Sequence, residues 1–264
     1  MNSTLTRDCE EYWSCLWKEG QSIWQQKGVT KLLEDNKEVI LAGKSSARVF
    51  IPLCGKAREL KWFYDLGHTV IGVEFVEECV RSYFTDNDLQ FEEATCPITE
   101  CKILRTTDHR LQIFVCDIMD FKRECAGAMD IVWDRSGFTA MRVENRARYA
   151  AVIKSLLAPN FSYGMWTVVY DVPTFVDTVL PRSAGEYALR EHFGLDPPRP
   201  ASVHHGLQER LGPRTTAPVL CYGDKLALTD DIARQARPIL GRQPSSEKPA
   251  FHRAMRKKHI KADM

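Results

Sequence analysis

Five short apolar segments, separated by stretches of helical periodicity, limit what this 264-residue chain can fold into. Each segment is almost continuously apolar rather than alternating, which is typical of strands that are buried on both faces. Such strands belong to parallel sheets that carry helices on either side. The sequence therefore predicts an α/β fold with strands over residues 48–53, 69–74, 111–117, 129–134 and 163–171.

Stretches with apolar residues at helical spacing lie between and before these segments. The pattern predicts connecting helices over residues 57–66, 77–88 and 142–157. Two amphipathic stretches, residues 8–26 and 30–41, precede the first strand and predict an N-terminal helical lid over residues 1–44. A last apolar segment, residues 219–229, is the candidate for the final strand.

The end of the chain differs in composition from the rest. Residues 232–264 contain nine Lys and Arg against two Asp and Glu, although the whole chain has a net charge of only +1. This segment has no apolar periodicity, which is typical of a mobile tail. We therefore expect one domain over residues 1–231, followed by a basic tail over residues 232–264.

The cysteines and histidines carry no pattern of a metal or disulfide site. The nine cysteines are odd in number, scattered and without a Cys-x-x-Cys pair. The seven histidines lack metal-ligand spacing, and no segment approaches eighteen consecutive apolar residues. We expect reduced thiols, no metal, no membrane span and a cytoplasmic location.

Acidic side chains follow two of the predicted strands. In open parallel sheets, ligands bind outside the carboxyl ends of the strands. Glu74 ends the second strand, where it could accept hydrogen bonds from the two hydroxyl groups of a ribose. Asp117 ends the third strand and could accept one from the exocyclic amine of adenine. Together they favour an adenosine ligand.

The loop after the first strand favours an adenosine that carries no phosphate. It reads Pro-Leu-Cys-Gly-Lys over residues 52–56, and the chain contains no Gly-x-Gly-x-x-Gly motif. A pyrophosphate needs several backbone N–H groups at a glycine-rich turn, so a dehydrogenase is disfavoured. Gly55 alone permits close approach of a smaller group, such as the methionine portion of S-adenosylmethionine.

Three segments resemble the thiopurine S-methyltransferase family: VFIPLCGKARELKWFYDLGHTVIGVE, EYWSCLW near the N-terminus and DIVWDR further on. The resemblance extends from about residue 10 to residue 193. It implies a seven-strand Rossmann-like methyltransferase sheet with helices on both faces, whose antiparallel last strand would be residues 219–229. It also implies S-adenosylmethionine as the cofactor.

The resemblance implies roles for individual residues at positions that match the family's motifs. The cofactor contacts would be Trp13, Trp17, Leu53, Gly55, Glu74, Asp117, Ile118 and Arg135. Arg135 would also orient the acceptor, and Trp24 and Arg210 would contact it. The indole faces of the first two residues can attract a sulfonium cation, which supports their place over the cofactor. After Arg135 the family commonly has Gly-Ala-Leu, whereas residues 136–138 here are Ser-Gly-Phe.

The predicted activity is S-adenosylmethionine-dependent methylation of aromatic or heterocyclic thiols such as thiopurines. One alternative keeps fold and cofactor but uses halide, thiocyanate, selenium or tellurium species as acceptors. Another is a non-catalytic methyltransferase-like module whose basic tail binds nucleic acid or a protein. The tail lacks the interleaved aromatic residues of a stacking platform, so we expect no nucleic-acid partner. We expect a small-molecule thiol as the substrate and a monomeric protein.

Overall fold

The computed structural model describes residues 10–20, 25, 27–169, 203–204 and 219–225. The helices are α1 (Glu10–Lys18), α2 (Lys31–Asp35), α3 (Lys37–Leu41), α4 (Arg58–Asp65), α5 (Glu77–Asp86), α6 (Arg123–Ala126), α7 (Gly137–Ala140) and α8 (Arg146–Leu156). The strands are β1 (Arg48–Ile51), β2 (Thr69–Glu74), β3 (Phe91–Thr95), β4 (Lys102–Thr106), β5 (Leu111–Val115), β6 (Met129–Arg135), β7 (Leu157–Val169), β8 (Val203–His204) and β9 (Val219–Lys225). All five predicted apolar segments form strands, which confirms that part of the prediction.

The strands of the described residues form one sheet in the order β3-β4-β5-β2-β1-β6-β7-β9-β8. Parallel ladders run from β5 through β2, β1, β6 and β7 to β9. The chain order reverses at β1, because β2 and β5 lie on one side of it and β6 and β7 on the other. Ligands of open α/β sheets bind at such a reversal, outside the carboxyl ends of the strands.

Successive residues of the central strands enter two different apolar layers. Val49 and Ile51 of β1 pack into a layer that contains residues of α2 to α5, whereas Phe50 packs into a layer formed largely by α7, α8 and β7. Both layers are buried, so the central strands are apolar on both faces and lack an alternation of polar and apolar residues. The expected α/β architecture with helices on both faces is confirmed.

An antiparallel hairpin, β3 and β4, extends the sheet beyond the predicted strands. It pairs with β5 through β4, and its outer strand β3 is polar. Glu92 and Glu93 of β3 form ion pairs with Arg105 and Arg81. A charged, exposed edge strand disfavours pairing with another sheet edge. With β8 the described sheet has nine strands rather than the expected seven.

The prediction that residues 219–229 form an antiparallel strand is wrong in direction. β9 pairs with β7 in parallel, from Tyr163 opposite Val219 to Val169 opposite Lys225. A parallel neighbour needs a crossover of a dozen or more residues, and residues 170–218 are long enough to supply one. β8 is the strand that pairs antiparallel, with β9 as its neighbour.

The two predicted N-terminal helices are shorter than expected. α1 ends at Lys18, and the second predicted helix is divided at Asn36 into α2 and α3. The amide of Asn36 donates to the carbonyl oxygen of Leu32 at 2.9 Å, and such local bonds compete with helix continuation. A lid function for residues 1–44 stays a prediction.

Two further expectations concern the basic C-terminal tail and membrane-spanning helices. The basic tail, residues 232–264, lies outside the described residues, so its mobility and the domain division at residue 231 stay predictions. Among the helices that the structure describes, none has the length and apolarity that a bilayer crossing requires.

Candidate functional site

A pocket opens at the carboxyl ends of β1, β2, β5 and β6, where the chain order of the sheet reverses. Its wall includes all eight residues that the sequence predicted as cofactor contacts: Trp13, Trp17, Leu53, Gly55, Glu74, Asp117, Ile118 and Arg135. These residues come from five separate stretches of the chain. The strand order brings them together, because the carboxyl ends of parallel neighbours meet at one edge of the sheet.

The loop after β1 turns tightly at the floor of the pocket. Leu53 and Gly55 both have positive φ, of 46° and 47°, and Cys54 donates its N–H to the carbonyl oxygen of Val73 at 2.9 Å. A Cβ atom at residue 55 would lie 3.1 Å from Cζ2 of Trp17. Glycine is therefore favoured at residue 55 both by the backbone conformation and by the limited space beside the indole.

Glu74, at the end of β2, is the most perturbed acid of the pocket floor. Its side chain is buried, with 6% of its surface exposed. Oε2 accepts the N–H of Gly55 at 3.1 Å, and Oε1 accepts the N–H of Val76 at 3.0 Å. Burial raises the pKa of Glu74 to about 7, although these backbone hydrogen bonds oppose the rise. The carboxyl group therefore exchanges its proton near neutral pH.

Asp117 and Ile118 follow β5 and begin a 3₁₀ turn over Ile118–Asp120. Oδ1 of Asp117 accepts the N–H of Met119 at 2.8 Å, which fixes the carboxylate at the start of the turn. Ile118 is buried and packs into the apolar layer beneath. The pair thus offers a fixed hydrogen-bond acceptor beside an apolar surface, an arrangement that suits a flat ring with a polar edge.

Arg135 ends β6 with a nearly buried side chain, of which 9% is exposed. Its Nε lies 3.6 Å from Oε2 of Glu59 on α4, which is itself buried. Oε1 of Glu59 accepts the N–H of Thr30 at 3.1 Å. Sequence reasoning missed Glu59. A signal was present, because Glu59 shares the apolar face of the predicted helix with Leu60 and Phe63, where a charge needs a partner.

Asp134, the residue before Arg135 on β6, is not part of the pocket wall. It is fully buried, and its Oδ2 accepts the hydroxyl groups of Tyr149 at 2.9 Å and Tyr163 at 3.2 Å. Burial raises its pKa to about 6 against these hydrogen bonds. Successive strand residues face opposite sides of the sheet, so the side chains of Asp134 and Arg135 lie on opposite faces.

The turn after Arg135 depends on this buried acid. Oδ1 of Asp134 accepts the N–H of Phe138 at 3.2 Å, and a Cβ atom at Gly137 would lie 2.6 Å from the same oxygen. Ser136 takes the left-handed conformation with φ of 66°, and its N–H donates to the carbonyl oxygen of Trp166 at 2.9 Å. The departure from the family pattern at residues 136–138 therefore places a glycine at residue 137, where a Cβ atom has no room.

Two half-buried indoles of α1 form the upper wall of the pocket. Trp17 lies beside Gly55, and Nζ of Lys56 is 5.9 Å from its ring centroid. Trp13 packs edge-on against Tyr12 with ring centroids 5.4 Å apart. An aromatic wall of this kind can cover a cationic ligand and keep water from it.

Two predicted acceptor contacts, Trp24 and Arg210, lie outside the described residues and stay predictions. In the parts of the chain that the structure describes, no three His, Cys, Asp or Glu side chains are grouped so that they could hold a metal ion. Gln25, which sequence reasoning did not consider, lines the pocket and donates from its amide to the carbonyl oxygen of Lys56 at 2.7 Å.

Comparison with known proteins identifies relatives of this chain. The model of the thiopurine S-methyltransferase family matches residues 9–176, which include every described residue of the pocket. A probable thiopurine S-methyltransferase of Danio rerio is 34% identical over 160 residues, which cover 60% of this chain and 69% of that relative. The thiopurine S-methyltransferase of Oryctolagus cuniculus is 38% identical over 164 residues, covering 61% and 66%. That of Rattus norvegicus is 36% identical over 194 residues, covering 73% and 79%.

Proposed function

Since this chain belongs to the thiopurine S-methyltransferase family, we propose that it methylates the sulfur atom of aromatic and heterocyclic thiols, including thiopurines. It is a methyltransferase that uses S-adenosylmethionine. The observation that carries the proposal is the buried Glu74 carboxyl group beside Gly55 at the reversal of the strand order. The acceptor class rests on the family.

The residues of the pocket fit the cofactor. Glu74 holds two oxygens at the end of β2, where two ribose hydroxyl groups can donate to them. The missing side chain of Gly55 leaves room between Trp17 and Glu74. Asp117 offers its carboxylate for the adenine amine. The loop after β1 has one glycine and no phosphate-binding motif, as an adenosine without phosphate requires.

When bound, S-adenosylmethionine supplies an electrophilic methyl group on a sulfonium ion. The task of the protein is to hold the acceptor sulfur in line with that group, which is mainly a matter of orientation. Trp13 and Trp17 exclude water and favour a cation through their ring faces. An aromatic thiol ionises more readily than an alkyl thiol, whose pKa is about 8.5. A dedicated general base is therefore unnecessary.

Arg135 is the residue that we assign to the acceptor. Its guanidinium group lines the pocket and lies beside the buried carboxylate of Glu59. A cation near the acceptor favours the thiolate over the neutral thiol or thione. The Arg135→Ala variant should then need a higher pH for half-maximal activity. An identical pH–rate profile in a folded variant would remove this role.

A methyl-transfer screen tests the proposed activity. The full chain with S-adenosylmethionine is offered aryl thiols, thiopurines, thiocyanate, halides and selenium species, and the methylated products are measured by mass spectrometry. We expect the aryl thiols and thiopurines to be the best acceptors. Preference for thiocyanate, halide or selenium would support the alternative acceptor class. Binding of S-adenosylhomocysteine without turnover of any acceptor would support a non-catalytic module.

The cofactor site has its own test with a matched control. Glu74→Gln should lose most of its affinity for S-adenosylhomocysteine in calorimetry, because one of the two acceptor oxygens becomes a donor. Glu78→Gln is the control, since this glutamate is 67% exposed and pairs only loosely with Lys18 at 3.5 Å. Equal affinity in the two variants would contradict the assignment of Glu74.

A further inference from the structure

Three cysteines lie side by side across the antiparallel part of the sheet. The β3–β4 register, continued by one residue, places Cys96 opposite Cys101, and the N–H of Cys96 donates to the carbonyl oxygen of Cys101 at 2.8 Å. The β4–β5 register, continued in the same way, places Cys116 opposite Cys101. Directly opposite residues share a face of the sheet, so the three thiols form a row.

The pairing geometry singles out Cys101 and Cys116. In an antiparallel strand, the N–H and C=O of one residue point to the same neighbour. Cys101 directs its carbonyl group to Cys96, so its pairing with Cys116 is of the non-hydrogen-bonded type. The Cα atoms of such a pair are about 4.5 Å apart, which lies within the range of about 4.4–6.8 Å that a disulfide spans.

The sulfur atoms of this region interact with one another. The thiol of Cys101 is close enough to those of Cys96 and Cys116 to affect their ionisation, and Cys96 and Cys125 affect each other in the same way. All four residues pack in the same apolar layer, with Cys96 buried and the other three partly exposed. The hydroxyl of Thr99 donates to Sγ of Cys101 at 3.2 Å.

Cys96 is the member of the row that most readily carries negative charge. Burial opposes its ionisation, but hydrogen bonds from the side chain and backbone of Thr99, from the backbone of Ile98 and from Cys125 together lower its pKa. Burial raises the pKa of Cys101, which also donates to Cys96. Cys96 lies opposite the more accessible Cys101, in a position to take the proton of that thiol.

We propose that Cys101 and Cys116 form a site of reversible oxidation, at which a hydroperoxide converts the cross-strand thiol pair into a disulfide. This site is independent of the proposed methyl transfer. It lies one residue before Asp117, and therefore next to the pocket but not in its wall.

The oxidation proceeds in two steps. The sulfur of Cys101 attacks the distal oxygen of R–O–O–H while its proton passes to Cys96; the O–O bond breaks, and the alkoxide takes the proton as ROH. The sulfur of Cys116 then attacks the sulfenic acid at Cys101, the S–O bond breaks, and the hydroxide leaves as water with the proton of Cys116. Overall, two thiols and one hydroperoxide give one disulfide, ROH and H₂O.

Hydrogen peroxide is the probe. The reduced full-length chain is treated under native conditions, quenched with an alkylating agent and digested without reductant for mass spectrometry. We expect one dominant linkage, Cys101 to Cys116, that dithiothreitol removes. Cys116→Ser should instead leave a dimedone-reactive sulfenic acid at Cys101. Cys96→Ser should slow the reaction by about tenfold or more at neutral pH. The control Cys79→Ser, whose thiol is buried on α5, should react as the native chain does.

A second measurement uses the native sequence and therefore does not depend on the folding of a variant. Phenylarsine oxide condenses with two adjacent thiols to give an As(SR)₂ bridge and water, with no change of oxidation state. We expect one bridge, between Cys101 and Cys116. A dominant linkage or bridge at another cysteine pair, or persistence of both thiols under peroxide that oxidises other cysteines, would overturn the proposal. An unchanged rate in Cys96→Ser would also overturn its role as the base.

Discussion

The proton on Glu74 should make cofactor binding depend on pH near neutrality. The buried carboxyl group of the free protein has a pKa of about 7. Two ribose hydroxyl groups that donate to it would favour the ionised form, so binding should require loss of the proton. At pH 6 only about one molecule in eleven is ionised, and the apparent dissociation constant should be about tenfold larger than at pH 8.

The same group should affect the stability of the free protein, with a defined sign. The pKa of Glu74 rises from 4.5 to about 7 on folding. Between these values the unfolded chain has released the proton that the folded chain still holds, so the free energy of unfolding falls as pH rises through this window. The shift corresponds to a loss of about 3 kcal/mol. Above pH 7 this contribution should be constant.

Calorimetry with S-adenosylhomocysteine between pH 5.5 and 8.5 checks the binding effect, and urea unfolding over pH 4.5–7.5 checks the stability effect. Glu74→Gln removes the titrating group, so both pH dependences should become shallower than in Glu78→Gln. Binding in buffers of different ionisation enthalpy should show that one proton is released at pH 6. An affinity that is flat with pH in the native chain, or a slope that persists in Glu74→Gln, would refute the reasoning.

Three other substitutions test the turns that shape the pocket. Gly55→Ala should cost about 1–2 kcal/mol of stability at its positive φ and weaken S-adenosylhomocysteine binding, because Trp17 must move; unchanged calorimetry and melting would contradict this. Ser136→Gly should stabilise the chain by about 1 kcal/mol in urea unfolding. The substitution removes a left-handed non-glycine residue and a buried hydroxyl that has no hydrogen-bond partner among the described residues. Glu59→Gln should destabilise by about 3 kcal/mol or more by leaving the charge of Arg135 poorly compensated, and adding Arg135→Met should restore much of that loss.

The strands and the pocket edge could be predicted from the sequence because both depend on local patterns. Continuous apolar runs mark strands buried on both faces, and the residue after each run lies at the ligand-binding edge. Glu74 and Asp117 were found in this way, whereas the role of Arg135 was implied by the family resemblance. The β3–β4 hairpin was not, because Phe91–Thr95 is a polar edge strand without a buried face.

The features that sequence reasoning missed depend on distant parts of the chain. The pairing of Glu59 with Arg135 needs α4 to pack beside the end of β6, and no local spacing connects the two residues. The direction of β9 depends on the course of a long crossover rather than on the strand itself. The burial of Asp134 likewise depends on distant residues, because its hydrogen-bond donors Tyr149 and Tyr163 come from α8 and β7.

That alternation explains how the wall at β6 keeps its shape. One residue of the strand, Asp134, faces inward and accepts two tyrosine hydroxyls and the N–H of Phe138, while the next, Arg135, is held by Glu59. The turn that follows Arg135 packs closely against Asp134 because Gly137 has no Cβ atom. Each of these contacts lies behind the pocket and none involves a ligand. The geometry that would orient an acceptor is therefore set by folding. Substitution of Asp134, which removes its buried carboxylate oxygens, should disturb the orientation of the acceptor although Asp134 touches no bound molecule.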